Sequence, residues 1–250
     1  MKIDLSGKTV IVTGASRGIG RGIAKGLASA GARIAVHFNK NKEVAEQLAE
    51  KIGNGSKAFQ ADLQHPEACN ILFESVVEEF GRIDVLVNNA GIFFNSPLES
   101  DSWLDDWNMT MDVNLRATGI LSKLAILHFL ENKGGRIINI SSRAAFRGDN
   151  PEHLAYAASK AGMVALTKSI ARGYGKDNIV SFLIAPGWVK TDMNKETIER
   201  FGEESITKDL ALNTLTKPED IAPMVTLLAS GFADHATGTT IDINAGSYVH

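Results

Sequence analysis

The sequence predicts a doubly wound α/β fold, in which helices cover both faces of one parallel β-sheet. Short apolar runs rich in β-branched residues alternate with segments of helical periodicity along the chain. Helical connections of ten or more residues are typical of parallel neighbouring strands rather than of hairpins. The sequence contains no low-complexity linker, long-period repeat or break in composition. We therefore expect residues 1–250 to form a single domain.

The amino-terminal elements carry the clearest local signals. Residues 9–12 are an apolar, β-branched run closed by glycine, and residues 18–30 place apolar side chains on one helical face. Gly31 is a typical helix C-cap, and an apolar strand over 33–38 follows it. The chain thus begins with a strand, a tight turn, a helix and a second strand.

The same alternation continues to the carboxyl end. Helices are predicted over 43–52, 66–80, 105–130, 156–174 and 218–228, with a proline in the first turn of the second of these. Strands are predicted over 57–60, 83–87, 136–140, 179–185 and 239–243. Residues 188–208 are polar and charged and follow the end of a strand, so we expect a mobile flap over a site there.

The composition excludes several classes of protein. The net charge is -3 and no basic block occurs, which argues against nucleic-acid and membrane partners. The six histidines lack zinc-ligand spacing, so no metal site is predicted, and the single cysteine, Cys69, is expected to be buried in a helix. The amino terminus does not match a signal peptide, and no segment approaches the ~20 apolar residues of a membrane-spanning helix. We therefore expect a cytoplasmic protein.

A glycine-rich turn, Gly14 to Gly20, joins the first strand to the first helix. In open α/β sheets, ligands bind at the carboxyl ends of strands, where a helix amino terminus offers unpaired N–H groups to a phosphate. The spacing Gly-x-x-x-Gly-x-Gly differs from the Gly-x-Gly-x-x-Gly of many dehydrogenases. The turn is a candidate site for a dinucleotide pyrophosphate, and the alternative is a structural turn that needs positive φ.

The end of the second strand indicates which dinucleotide binds. Proteins that bind NAD generally place an acidic residue there to accept the ribose hydroxyls, whereas this chain has Asn39 and Lys40. A 2′-phosphate would meet no carboxylate, and Arg17 and Lys40 are both candidates to bind it. This arrangement favours NADP(H) over NAD(H). Use of NAD(H) as a second cofactor is left open.

A candidate acid–base pair lies in the helix predicted over 156–174. Tyr156 and Lys160 are four residues apart and leave one helical face. An ammonium beside a phenol is expected to lower its pKa from about 10, so that the phenol can exchange a proton near neutrality. Ser141 and Ser142 follow another strand, and either hydroxyl could bind a substrate carbonyl. The alternatives are an exposed surface pair and a capping serine.

These motifs resemble the short-chain dehydrogenase/reductase family over essentially the whole chain. The cofactor turn at 13–20, the Asn-Asn-Ala-Gly motif at 88–91, the Tyr-x-x-x-Lys signature at 156–160 and the Pro-Gly segment at 186–191 occur in the family's order. The overall pattern is similar to that of the 3-oxoacyl-(acyl-carrier-protein) reductases. The resemblance implies a Rossmann-like fold, and it favours Ser142 over Ser141 as the catalytic serine.

The resemblance also implies a catalytic tetrad of Asn114, Ser142, Tyr156 and Lys160. The implied role of Asn114 is to hold, through its main-chain carbonyl, a water that links Lys160 to solvent; the alternative is a local helix kink. Lys160 would bind the nicotinamide ribose. Together with the turn and the 2′ position, the resemblance gives these cofactor-binding residues: Gly14, Ser16, Arg17, Gly18, Ile19, Gly20, Asn39, Lys40, Asp62, Leu63, Asn88, Ala90, Gly91, Tyr156, Lys160, Pro186, Gly187, Val189 and Thr191.

Within this set the resemblance implies particular contacts. Asp62 would accept a hydrogen bond from the adenine amino group, and Asn88 and Ala90 would lie along the adenosine ribose. Val189 and Thr191 would approach the nicotinamide carboxamide. Asn89 is expected instead to tie neighbouring strands together.

The implied function is transfer of hydride between NADP(H) and a carbonyl or alcohol, with a 3-oxoacyl thioester as one substrate and an acyl-carrier protein as a partner. Arg136, Arg143 and Arg147 are candidates for a carrier-binding patch. Sugar, steroid or small-ketone reductases share the same pattern. A non-catalytic NADP(H) sensor or scaffold is a further alternative, although the intact tetrad argues against it. The resemblance also implies a homotetramer built through the helices at 105–130 and 156–174.

Overall fold

The computed structural model describes residues 2–191, 198–199 and 202–249. In these residues the strands are β1 (Thr9–Val12), β2 (Arg33–Phe38), β3 (Lys57–Gln60), β4 (Val85–Asn88), β5 (Gly135–Ile140), β6 (Ile179–Pro186) and β7 (Thr240–Ile243). They form one parallel sheet in the order β3-β2-β1-β4-β5-β6-β7. The order reverses between β1 and β4, which is where ligands bind in doubly wound sheets. The predicted fold class is confirmed.

Helices cover both faces of this sheet. They are α1 (Gly18–Ser29), α2 (Lys42–Ile52), α3 (Pro66–Phe80), α4 (Trp103–Met111), α5 (Ala117–Glu131), α6 (Ala144–Arg147), α7 (Leu154–Tyr174), α8 (Glu203–Thr207) and α9 (Pro218–Ser230). A π-helical turn, Asp112–Arg116, joins α4 to α5, and short 3₁₀ turns occupy Pro151–His153, Gly175–Asp177 and Asp234–Ala236.

Both faces of the sheet are buried under helices, and successive strand residues point to opposite faces. Val10 and Val12 of β1 pack in a core with α1, α2 and α9, whereas Ile11 packs in a second core with α3 and α5. Cys69 of α3 is buried in that second core, as expected, and burial raises the pKa of its thiol to about 11. The strands therefore read as continuous apolar runs rather than alternating ones.

The helical run from Trp103 to Glu131 is continuous, because the π-turn joins α4 to α5 without a break. Among the described residues it is the one helix long and apolar enough to cross a bilayer by length and composition, since an 18-residue window in it has a mean hydropathy of 1.2. This helix contradicts the expectation that no segment approaches the ~20 apolar residues of a membrane-spanning helix. In the fold, Leu121, Ala125 and Phe129 of this run are buried against the sheet.

Other departures from the predicted elements are local. The fourth strand begins at Val85 rather than at 83, and the Asp84 carboxylate just before it accepts a hydrogen bond from the Thr9 N–H. The short helices α6 and α8 were not predicted. The second lies inside the predicted flap, whose residues 192–197 and 200–201 are outside those described, so the flap's mobility remains a prediction.

Candidate active site

The turn from Gly14 to Gly20 lies at the carboxyl end of β1. Gly14 and Gly18 have φ of 63° and 51°, a region that favours glycine. A Cβ on Gly20 would lie 2.5 Å from the Asn89 Nδ2 and would collide with the Gly14 carbonyl. Ser16 is buried and Ile19 packs partly into the core below. The turn is thus compact, and its backbone faces the cleft at the amino terminus of α1.

Two side chains hold this turn from the neighbouring strands. The Gly14 N–H donates to Nδ1 of His37 at 2.9 Å, and Nε2 of His37 lies 3.1 Å from the Ala61 carbonyl. Since Nδ1 accepts a hydrogen bond, Nε2 carries the proton and the ring is neutral. On the other side, Asn89 donates to the Thr13 carbonyl at 2.8 Å. Asn89 therefore ties β4 to the turn, as the sequence predicted.

His37 was missed by the sequence reasoning. The signal available was a polar residue in a strand that is otherwise apolar at its carboxyl end. His37 is 2 % exposed, and burial lowers its pKa to about 4 despite the hydrogen bond to Ala61 and the charge of Asp62. The ring stays neutral at physiological pH and bridges the ends of three strands.

The residues predicted to read the adenosine lie at adjacent strand ends. Arg17 is exposed at the start of α1, and Asn39 and Lys40 are exposed after β2, the neighbour of β1 in the sheet. Asp62 is half-buried after β3 and accepts a hydrogen bond from the Gln64 N–H at 3.1 Å. Leu63 beside it is buried. Asn39 and Lys40, rather than an acidic residue, directly follow β2.

The Asn88 side chain does not face the cleft, so the predicted contact of this residue with the adenosine ribose remains a prediction for its main chain. Asn88 is 2 % exposed, and its amide donates to Oδ1 of Asn139 at 2.9 Å and to the Ser122 hydroxyl at 3.2 Å. The side chain therefore points into the core below the sheet edge, and only its main chain can face a ribose. The Ala90 N–H donates to the Thr13 hydroxyl at 2.9 Å, which fixes that residue beside the turn.

Lys160 lies deep in the site. It is 3 % exposed, and its ammonium donates to the Ile140 carbonyl at 2.9 Å. The ammonium lies 5.7 Å from the centre of the Tyr156 ring. A Cβ on Gly91 would lie 3.5 Å from this ammonium, so Gly91 leaves room beside it. Burial lowers the pKa of Lys160 to about 8.

Tyr156 departs from the predicted direction of its pKa. Burial raises the pKa of the phenol to about 12, a hydrogen bond with the Ser142 side chain acts in the opposite direction, and the Asp149 charge raises it further. Removal from water outweighs the hydrogen bond with Ser142, so the free phenol keeps its proton at neutral pH. The Phe93 ring packs edge-on against Tyr156 at 4.8 Å, a contact that the sequence did not suggest.

The two serines after β5 have different partners. The Ser141 hydroxyl is buried and donates to the Lys160 main-chain carbonyl at 2.9 Å. The Ser142 hydroxyl accepts the Ala144 N–H at 3.1 Å and shares a hydrogen bond with Tyr156. Of the two, Ser142 is therefore the one placed with the phenol.

Asn114 occupies the π-helical turn and is fully buried. Its side chain accepts the Ile92 N–H at 2.8 Å and donates to the Ser159 hydroxyl at 3.2 Å. Its main-chain carbonyl accepts the Thr118 hydroxyl at 2.9 Å. Asn114 thus fastens the loop after β4 to α7, and π-turns of this kind frequently occur at functional sites.

The segment after β6 crosses towards the glycine turn. The Gly187 N–H donates to the Ile243 carbonyl, and Val189 is buried and bridges to Thr216. Thr191 lies against Gly18, since a Cβ on that glycine would be 3.4 Å from the Thr191 Cγ2. Pro186 to Thr191 therefore spans the cleft between the catalytic side chains and the turn.

Arg136 is not available for the predicted carrier-binding patch. Its guanidinium forms a two-point ion pair with Asp234, with Nε 3.0 Å from Oδ1. It also lies at the amino-terminal half of β5, away from the cleft. Among the residues that the structure describes, no group of three or more side chains is arranged to bind a metal ion.

The chain is similar to known proteins over nearly its whole length. Residues 14–248 match the family described as enoyl-(acyl carrier protein) reductase. The chain is 35% identical to a 3-oxoacyl-(acyl-carrier-protein) reductase of Aquifex aeolicus over 99% of this chain and 100% of that protein. The corresponding reductase of Staphylococcus aureus is 38% identical, over 97% and 98% of the two chains.

A solved structure from Beutenbergia cavernae is also similar. It is assigned as an NAD(P)-dependent gluconate 5-dehydrogenase and has NADP bound. The TM-score is 0.90 at 35% sequence identity, and the match covers 99% of each chain. The likeness therefore extends over the whole fold.

Proposed function

Because the chain belongs to the short-chain dehydrogenase/reductase family, and is thus a nicotinamide-dependent oxidoreductase of carbonyls and alcohols, we propose that Tyr156 is its proton donor and acceptor. Ser142, Lys160 and Asn114 complete the proposed site. The observation that carries the proposal is the hydrogen bond between the Ser142 side chain and the Tyr156 phenol, together with the Lys160 ammonium 5.7 Å from the centre of the phenol ring.

The cofactor is NADP(H), and the residues present fit it. The glycine turn presents main-chain N–H groups at the amino terminus of α1, where a pyrophosphate can bind. Glycine is required because a Cβ on Gly14 would meet Ala90, and one on Gly20 would meet the Gly14 carbonyl and Asn89. Arg17 and Lys40 are exposed cations for a 2′-phosphate. When bound, the nicotinamide supplies or accepts the hydride.

The side chains have distinct roles in the reductive direction. The Ser142 hydroxyl donates a hydrogen bond to the substrate carbonyl oxygen and polarises it. Tyr156, whose pKa of about 12 keeps it protonated, donates its proton to that oxygen. Lys160, with a pKa of about 8, is mainly an ammonium at neutral pH, so it binds the ribose hydroxyls and stabilises the phenolate that forms. Asn114 positions α7, on which both residues lie.

Two classes of substrate have support. A 3-oxoacyl thioester carried by an acyl-carrier protein is favoured by the curated relatives, which match over nearly their full length. A hydroxy acid of the gluconate type is favoured by the solved relative and by a buried arginine next to Ser142. Both reactions use the same proton donor.

We further propose a cytoplasmic homotetramer. Exposed apolar side chains on the helices implied to form the interfaces support this assembly: Leu104 on α4, Leu127 and Leu130 on α5, and Leu154 on α7. Size-exclusion chromatography with light scattering should give four times the mass of the chain. A monomer mass would reject the assembly.

The experiment that tests the activity is oxidation of NADPH, followed by absorbance, with acetoacetyl thioesters, small ketones and keto sugar acids. We expect turnover with at least one class and a lower KM for NADPH than for NADH. Arg17→Gln combined with Lys40→Gln should raise the KM for NADPH about tenfold and leave that for NADH unchanged. NADPH binding without turnover on any substrate would instead indicate a sensor or scaffold.

A further inference from the structure

Arg143 directly follows Ser142 and is buried at the same strand end. Its exposed fraction is 8 %, which is unusual for an arginine. Its N–H donates to the Pro186 carbonyl at 3.0 Å, which fixes its backbone between β5 and β6. The guanidinium carbon lies 5.8 Å from the centre of the Trp188 ring, in the segment that crosses the cleft. The side chain therefore lies along the wall of the proposed substrate site.

The guanidinium has no partner of opposite charge in the described part of the chain. None of the ion pairs found there includes Arg143, and no side-chain hydrogen bond from it occurs among those residues. Burial lowers its pKa, the nearby charge of Arg147 acts in the same direction, and Asp149 and Asp209 oppose this through space. A guanidinium remains charged even so.

Other partly buried arginines in the chain are satisfied. Arg136 has its two-point pair with Asp234. Arg33 donates to the Thr9 hydroxyl at 2.9 Å and to the Phe80 carbonyl at 3.2 Å. Among the described residues, Arg143 differs from them because its side chain contacts the face of the Trp188 ring and forms no ion pair or hydrogen bond there. A buried cation without a partner is unfavourable unless something else supplies the negative charge.

We propose that Arg143 binds a carboxylate on the substrate, so that the physiological substrates are small keto or hydroxy acids. A carboxylate matches the two parallel donors of a guanidinium. Arg143 directly follows Ser142, and its guanidinium lies against Trp188 in the segment that crosses the cleft, so the proposed anion site is on the same side of the cleft as Ser142. The proposal rests on the proposed reductase activity and selects among its substrates.

A phosphate on a pantetheine arm is the other anion to consider. It lies at the far end of that arm from the keto carbon, whereas Arg143 is next to the residue that holds the carbonyl. Arg143 is also buried, so a phosphate outside the cleft would not reach it. The position therefore favours a carboxylate on a small molecule, and the two sources can be separated experimentally.

The test compares pairs of substrates with and without the anionic group. Acetoacetate and levulinate are assayed against their methyl esters, and acetoacetyl-phosphopantetheine against acetoacetyl-pantetheine, with NADPH and the full-length protein. We expect kcat/KM for at least one keto acid to exceed that for its ester by about tenfold to a hundredfold. The two thioesters should be reduced equally well.

The variant Arg143→Gln should remove the preference for the acid and leave reduction of the esters within a fewfold. Arg147→Gln is the matched control, because Arg147 lies in the same short helix but is exposed, and it should keep the preference. If both variants lost the preference for the acid equally, the positive charge of this region rather than a specific contact would cause it, and the proposal would be overturned. Discrimination confined to the phosphate on the thioester pair would also overturn it.

A binding measurement separates this inference from the proposed activity. Valerate, a carboxylate that cannot be reduced, is titrated calorimetrically into the NADP⁺-loaded protein and into the Arg143→Gln variant, whose folding is checked by thermal melting. We expect binding that the variant loses. If valerate binds to both proteins alike, or to neither, the carboxylate site is overturned even when NADPH oxidation is observed. Turnover of the esters without turnover of the acids would also overturn it. No NADPH oxidation on any substrate, with valerate binding lost in the variant, rejects only the reductase.

Discussion

The two halves of the cleft are built in different ways. At the ends of β1, β2 and β3, main-chain groups of the glycine turn face the cleft, and buried His37 and half-buried Asn89, which follows β4, hold that turn in place. At the ends of β4, β5 and β6, the proposed chemistry depends on the side chains of Ser142, Tyr156 and Lys160, which come from a strand end and a long helix. Steric changes should therefore damage the first half, and removal of single functional groups the second.

The sharpest contrast within the catalytic half is between its neighbouring serines. Ser142→Ala should lower kcat by about 10² to 10³, because it removes the donor to the carbonyl oxygen. Ser141→Ala removes a hydrogen bond to the Lys160 carbonyl and should lower the melting temperature with little change in kcat. Steady-state kinetics and thermal melts on both variants check this. A larger loss of kcat in Ser141→Ala would reverse the assignment.

In the nucleotide half, one methyl group should be enough to break the site. Gly20→Ala places a Cβ against the Gly14 carbonyl and the Asn89 amide, and such overpacking costs about 1–3 kcal/mol. We expect NADPH to bind about tenfold more weakly or worse, measured by fluorescence titration. Gly119→Ala is the control, since nothing lies within 4 Å of its added Cβ and the helix should gain about 1 kcal/mol. Equal NADPH affinity in the two variants would contradict the account.

The smallest expected effect concerns the pH dependence of His37. Its pKa is about 4 in the fold against an ordinary 6.5, so between these values the unfolded chain binds a proton that the folded chain does not. The contribution of the neutral ring is complete above pH 6.5 and is lost as the pH falls through about 4, by up to about 3 kcal/mol.

The variant His37→Asn removes this titration. The melting temperature of the wild type should fall more steeply than that of the variant as the pH decreases from about 6.5 to about 4. Comparing slopes rather than absolute values removes the effect of the lost hydrogen bonds. Parallel curves would mean that His37 is not held neutral between Gly14 and Ala61.

The contrast between the halves also explains what the sequence could predict. β2, β3 and α3 were predicted to the residue because apolar periodicity, glycine and proline determine them locally. The π-turn at Asn114 could not be predicted, since it depends on contacts with Ile92 and Ser159 that are distant in the sequence.

The same limit applies to charge. The pKa of Tyr156 is controlled by burial, which a Tyr-x-x-x-Lys spacing does not report. Arg136 and Arg143 looked equivalent in the sequence, yet one is paired with Asp234 and the other has no such partner among the described residues. Motifs thus predicted which residues form the catalytic half, whereas the partners of each side chain could be seen only in the fold.

The central claim is that the Tyr156 phenol transfers the proton while other groups hold the cofactor. The most direct measurement is kcat for NADPH oxidation together with the Kd of NADPH in Tyr156→Phe. We expect kcat to fall by about 10² to 10⁴ with the Kd within a fewfold of the wild type. A variant that keeps a near-normal kcat would contradict the claim.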